Sequence, residues 1–163
     1  MISFARTTDL SAVKRVVTTP EVWRRMVDDY APSREQWEPN AEQSIWYVEV
    51  FSDDFHELQI DRDVSQAEVG IISLFPQSPH WAEIHTTLLP VAWGRCVPIG
   101  KAFLAWCWEN TPFTCLTTHI PSYNRLALRM AEQSGMHHAG LIHDSFKRGG
   151  KLHSQYILEA IKP

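Results

Sequence analysis

No apolar run in this chain approaches the roughly 18–20 residues that a membrane-spanning helix requires. The amino-terminal stretch MISFARTTDL has no basic cluster followed by an apolar core, so no signal peptide is expected there. Cysteine is scarce. Cys96, Cys107 and Cys115 are odd in number and show no CxxC spacing. They read as reduced thiols of a cytoplasmic protein, not as a disulfide frame or a zinc knuckle. Basic charge is not in excess either: 15 Lys and Arg stand against 19 Asp and Glu, for a net charge of -4 and a pI near 6.0. A general nucleic-acid binder would be basic, so nucleic acid is an unlikely partner. Internal repeats and low-complexity tracts are also lacking, which sets aside solenoids and disordered tails.

What is present suits one globular domain. The chain has 163 residues, 44% of them apolar, enough for a full core and too few for two domains. Seven tryptophans are present, and Trp81, Trp93, Trp106 and Trp108 fall close together. Packing of large rings in the core and at its rim is the favoured reading. An aromatic-lined groove for a ligand or partner is the alternative.

Periodicity places the elements. Ile2 to Arg6 alternates as a strand, and Asp9 caps a helix carrying Leu10, Val13, Val16 and Val17. Thr18-Thr19-Pro20 interrupts it. Thr19 and Pro20 open a second helix with Val22, Trp23, Met26 and Val27. Residues 31–43 read as a loop long enough to have a function. Strands are expected at Ile45–Phe51, weakly at Phe55–Ile60 after a turn at Asp53-Asp54, at Glu68–Phe75 and at Trp81–Leu89. Both faces of Glu68–Phe75 are apolar, the mark of a central strand covered on two sides. A helix over Pro98–Glu109, a strand over Phe113–Ile120 and a helix from Pro121-Ser122 to Ser134 follow, with Ser122 as cap and Gly135 as a left-handed stop. Strands at Ala139–Phe146 and Leu152–Ala160 flank a Lys147-Arg148-Gly149-Gly150 hairpin. A strand run followed by alternation implies an α/β (α+β) domain with a mixed, mostly antiparallel sheet of six to seven strands and helices on both faces.

Residues 119–140 then carry a family likeness. Asn124 opens a helix, the small Ala127 follows three residues later, the helix closes at Gly135-Met136, and Gly140 comes after. Together with the strand order, this resembles the GNAT acyltransferases over most of the chain, from Ile2 to about Ala160. Val69-Gly70-Ile71-Ile72 is similar to that family's third strand, and Ala82-Glu83-Ile84-His85 up to Pro90 to its fourth. Phage-encoded GNAT-like proteins are the nearest likeness, through Glu83-Ile84-His85, Pro90, Trp93-Gly94 and Leu104-Ala105-Trp106.

The resemblance implies acetyl-CoA, or another acyl-CoA, as cofactor. It also implies a small-molecule or protein amine as acceptor. The family cradles the pyrophosphate in an Arg/Gln-x-x-Gly-x-Gly/Ala loop, whose N–H groups and helix dipole face the phosphates. Here the loop reads Trp93-Gly94-Arg95-Cys96-Val97-Pro98-Ile99-Gly100-Lys101. One alignment puts Cys96 and Pro98 at the expected glycines. The other starts at Arg95 and ends at Gly100, with Pro98 at the central glycine. Pro98 removes one N–H donor in either case. The cofactor-binding residues implied are Leu88, Leu89, Gly94, Arg95, Cys96, Val97, Gly100, Lys101 and Asn124, with charge from Arg95 and Lys101.

Catalysis needs a base for the acceptor's proton and a donor for the leaving thiolate. Glu83, His85 and Thr87 alternate and so share one strand face. His85, with an intrinsic pKa near 6.5, suits the base. A structural Glu83–His85 pair is the alternative. The family's acidic Tyr would stand at Ala131, which leaves Tyr123 as the substitute. His137, His138 and His143 lack acidic or Cys partners at matching spacing, so no metal site is expected. Three functions compete: an acetyl-CoA-dependent N-acyltransferase, a non-catalytic GNAT-like phage accessory module that self-associates, for instance as a homodimer, and a DNA-modifying relative. The acidic charge disfavours the last.

Overall fold

A computed structural model describes residues 1–54 and 67–163. The weak strand expected at Phe55–Ile60 lies outside the described residues.

The order is β1 (Ile2–Thr7), α1 (Leu10–Val17), α2 (Pro20–Met26), β2 (Trp46–Ser52), β3 (Ala67–Pro76), β4 (Trp81–Leu88), α3 (Cys96–Asn110), β5 (Cys115–Pro121), α4 (Arg125–Ser134), β6 (His137–Arg148) and β7 (Lys151–Ile161). The strands form one mixed sheet in the order β1-β2-β3-β4-β5-β7-β6. Every neighbouring pair is antiparallel except β4 and β5, which run parallel. Helices cover both faces, as the strand order implied. On one face Val48, Val69, Ile72, Leu74, Ile84, Leu116 and Leu158 meet Ile99, Phe103 and Leu104 of α3 and Ala131 of α4. On the other, Ile71 and Tyr47 meet Val13, Val16 and Val17 of α1. Val69, Ile71, Ile72 and Leu74 are all buried, so β3 is central and covered on both sides.

Local signals account for most element ends. Asp9 Oδ1 accepts from the N–H groups of Ser11 (2.9 Å) and Ala12 (3.3 Å), which caps α1. Thr19 stands at the cap position of α2, but its hydroxyl donates back to Arg15 O of α1 (3.0 Å) and caps nothing. Gly135 takes φ 108°, and the N–H of Met136 returns to Ala131 O (3.1 Å), which closes α4 as expected.

Three boundaries differ from the sequence reading. α4 begins at Arg125, not at Pro121-Ser122. Pro121 stays in the β5 ladder opposite Gln155, the Ser122 N–H donates to Ser154 O (2.8 Å), and Asn124 Oδ1 caps by accepting from Ala127 N (3.2 Å). α3 starts two residues before Pro98, after a 3-10 turn over Pro90–Arg95. Pro98 therefore falls in the first helical turn, where its missing N–H breaks no intrahelical bond. The last hairpin is longer than expected, since Lys147 and Arg148 remain in β6 and only Gly149-Gly150 turn.

The Trp81–Trp108 cluster packs. Trp106 stacks on Phe103 (5.8 Å between centroids), and Trp93 Nε1 donates to Leu88 O (2.9 Å). Trp81 Nε1 donates to Thr117 Oγ1 (2.8 Å), and Trp108 packs against the core.

Candidate active site

The sheet opens where its single parallel pair gives out. β4 and β5 are in register only at Trp81–Cys115, Ala82–Leu116 and Glu83–Thr117. Beyond Glu83, β4 stays with β3 as far as Leu88 opposite Gly70, and β5 stays with β7 as far as Pro121 opposite Gln155. Each strand keeps its antiparallel partner and leaves the other. The split is lined from Ile84 to Thr87 on one side and from Thr118 to Pro121 on the other. A cavity of about 590 Å³ fills it and reaches both faces of the sheet. Toward α3 and α4 it is walled by Gly100, Phe103, Leu104, Met130 and Ala131. Toward α1, α2 and the loop after α2 it is walled by Val13, Met26, Trp37, Phe75 and Phe146.

At the mouth of the split one carboxylate oxygen holds two imidazoles. Glu83 Oε1 lies 2.9 Å from His85 Nε2 and 3.0 Å from His119 Nδ1. Glu83 and His85 alternate on β4, and parallel registration puts His119 of β5 on the same face. The hydrogen bond from His85, together with the charge of His119, holds the Glu83 carboxyl below the ordinary carboxylate value, against the opposing effect of its burial. An ionised carboxylate only accepts, so His85 donates through Nε2 and His119 through Nδ1. When neutral, each ring keeps its other nitrogen as a base. His85 is exposed, while His119 and Glu83 are half-buried. The Phe75 ring lies against His85, with centroids 4.9 Å apart. The sequence reading missed His119. Its one available signal was parity with Thr117, and that has meaning only once β5 is known to lie parallel to β4.

The structure brings some of the other expected residues to the cavity and not others. Tyr123, Asn124 and Gly100 line it. The Tyr123 hydroxyl accepts from Arg148 Nη1 (2.9 Å), and its ring meets His153 and Phe146. The Asn124 side-chain oxygen serves the α4 cap. Gly100 lies buried where α3 crosses α4. A Cβ there would come within 2.9 Å of Ser134 Cβ, so this glycine permits close helix packing. Leu88, Leu89, Gly94, Arg95, Cys96, Val97 and Lys101 lie outside the cavity lining. Leu88 and Leu89 continue the β4 edge, Leu89 N–H donating to Val69 O (2.9 Å). Arg95 pairs with Asp54. Gly94 and Lys101 are exposed, whereas Cys96 and Val97 are half-buried. No side chain caps the N-terminus of α3, which follows directly on the 3-10 turn after β4. Among the described residues, no group of three or more His, Cys, Asp or Glu could hold a metal ion, and no helix is long and apolar enough to cross a membrane.

No protein-family model matches this sequence, and no curated protein matches it. Solved structures do. The Vibrio cholerae spermidine N-acetyltransferase in complex with CoA and spermine superposes with a TM-score of 0.71 at 12% identity, over 99% of this chain and 95% of that one. A chimera of the V. cholerae enzyme and hSSAT gives 0.73 at 13% identity, over 98% and 95%. An N-acetyltransferase from Staphylococcus aureus Mu50 gives 0.65 at 13%, over 99% and 97%. With its seven-stranded sheet, its helices on both faces and its split between β4 and β5, this chain has the GNAT-like fold of these N-acetyltransferases.

Proposed function

We propose that this protein is a cytoplasmic N-acyltransferase of the GNAT family that moves an acetyl group from acetyl-CoA to an amine. The carrying observation is the split between β4 and β5 with Glu83, His85 and His119 at its mouth. Two strand edges that leave each other's ladder offer peptide donors and acceptors to an extended, amide-bearing chain, which suits pantetheine. The uncapped first turn of α3 suits a pyrophosphate. Cys96 and Val97 supply backbone N–H groups there, Gly94 sits in the turn before it, and Lys101 adds a positive charge one turn on. Arg95 reaches the same place if it leaves Asp54. Leu88 and Leu89, at the end of β4 that leads into this turn, would border the cofactor on its pyrophosphate side. A neighbouring fold with CoA and spermine bound supports this assignment of donor and amine acceptor.

Bound there, acetyl-CoA supplies a thioester carbonyl carbon as electrophile. The chain's residues move the protons. A C–N bond forms from the amine lone pair and the C–S bond breaks, so one proton leaves nitrogen and one reaches sulfur. Neutral His85 takes the first at Nδ1. Protonated His119 delivers the second from Nε2. Glu83 stays ionised and stands against whichever ring is charged, so the net charge of the three groups does not change across the step. His119 suits the donor role because it lies on the strand that leads into α4, where Ala131 stands at the position of the family's Tyr. Tyr123, held by Arg148, lines the same cavity.

Acetyl-CoA consumption followed by chromatography with a panel of amines tests this. His119→Gln is expected to lower kcat with little change in the KM for acetyl-CoA. His85→Gln lowers kcat by about 10²–10⁴-fold, the usual worth of a positioned acid–base group. A thermal-shift titration gives the second readout. No stabilisation by millimolar acetyl-CoA defeats the proposal.

A further inference from the structure

Toward α1 and α2 the cavity has a wall assembled from distant segments. Arg25 and Met26 come from the last turn of α2, Tyr123 from the turn between β5 and α4, and Phe146 from the end of β6. A second hollow of about 390 Å³ shares Met26 and Phe146 and continues outward past Trp23 and Tyr30. Met26 Sδ lies 3.6 Å from Thr87 Oγ1, and Thr87 shares its face of β4 with Glu83 and His85. The end of α2 therefore sets the clearance beside those two groups.

α2 does not hold that place by its own stability. It has seven residues and no side-chain cap at Thr19, and so short a helix depends on tertiary contacts. Its last carbonyls have no intrahelical partner. Arg148, half-buried at the end of β6, answers both needs. Its Nη1 donates to Arg25 O (3.1 Å) and to the Tyr123 hydroxyl (2.9 Å), and its Nη2 donates to Arg24 O. The planar guanidinium spans these groups at once, which the single ammonium of a lysine does not. A second tie lies beside it. Asp29 accepts from the N–H groups of Gly149 (2.7 Å) and Gly150 (2.8 Å), and its own N–H donates to Lys147 O (2.9 Å). Arg25 also lies 4.0 Å over the Trp93 ring, but Trp93 is anchored separately through its Nε1 bond to Leu88 O (2.9 Å). The turn before α3 thus has its own support.

We propose that Arg148 is a positioning residue for the acceptor: it locks the end of α2 and Tyr123 to the tip of the β6–β7 hairpin and so fixes the wall beside Glu83 and His85. It acts through Met26 and Tyr123 and touches no reacting atom. This rests on the reading that the amine arrives beside Glu83 and His85.

Steady-state kinetics on the full chain, with phenethylamine and spermidine as trial acceptors, test this. Arg148→Gln is expected to raise the KM for the amine about tenfold, the weight of hydrogen bonds from a charged donor, while the KM for acetyl-CoA stays within about twofold. Arg148→Lys keeps the charge and loses the fork, so it should match the glutamine variant, and full recovery with lysine overturns the proposal. An unchanged amine KM overturns it too, as does an equal rise in both KM values, the mark of a merely structural role. Native-state amide exchange gives a readout apart from activity. In Arg148→Gln the amides of Met26 and Val27, the latter bonded to Trp23 O, are expected to exchange faster, while those of Val16 and Val17 in α1 keep their rates. Equal acceleration in both helices, or none in α2, overturns the clasp. A parent that neither consumes acetyl-CoA nor is stabilised by it defeats the transferase reading, and the exchange pattern then decides the clasp alone.

Discussion

Replacing Gly100 with alanine separates two meanings of one glycine. By resemblance it closes a phosphate loop. In the structure it is the point where α3 lies against α4. A methyl group built there overlaps Ser134 Oγ and sits 2.9 Å from Ser134 Cβ. The hydroxyl can rotate aside, but both Cβ atoms are fixed to helix backbones, so the helices must part. Overpacking of this kind costs about 1–3 kcal/mol, and immobile partners place it near the upper end. Alanine in a helix interior returns about 1 kcal/mol relative to glycine. The net expectation is a loss of about 2 kcal/mol. For a chain of this length that lowers Tm by about 4–8 °C, measured by thermal unfolding under circular dichroism. Adding Ser134→Gly removes the opposing Cβ and recovers part of the loss. The double variant should keep the acetyl-CoA-induced shift of the parent. A Gly100→Ala protein that melts at or above the parent temperature refutes the packing argument.

Two further predictions rest on titrating groups. The N–H groups of Gly150 and Gly149 hold the Asp29 carboxyl below its ordinary value. Because the folded value is the depressed one, this latch contributes above the ordinary carboxylate range and is lost as pH falls through the folded value. Amide exchange at Gly149 and Gly150 should therefore accelerate in acid beyond its intrinsic pH dependence. In Asp29→Asn that extra acceleration should vanish, and its persistence would show that something else holds the hairpin tip. Burial pushes the Cys107 thiol up, so little thiolate forms at neutral pH. Native protein should alkylate at half-buried Cys96 long before Cys107, and equal rates by mass spectrometry would contradict the buried position.

Much of the fold was readable because its signals are local. Asp9 before Leu10-x-x-Val13, Gly135 after Ser134 and Gly149-Gly150 between alternating runs each act within a few residues. The errors came where a local signal had a competitor. Ser122 is a good cap by type, but Pro121 was still held by β7, so the helix waited for Asn124. Thr19 is likewise a good cap by type, but the α1 carbonyl of Arg15 took its hydroxyl. The favoured reading of Trp81–Trp108 as packed rings holds, and the alternative of a groove there does not. The rings that line a hollow are Trp23 and Trp37, brought together by the loop after α2.

By itself the sequence determined the kind of elements, their order and the shared face of Glu83 and His85, because period and capping are properties of neighbouring residues. Tertiary structure alone decided that β4 and β5 run parallel and then part. That pairing joins residues 36 apart, Glu83 and His119, on one oxygen. The meaning of Gly100 was also decided at that level, since Ser134 of α4 is what it faces. Contacts between distant segments depend on the packing of whole elements, and no local pattern encodes them.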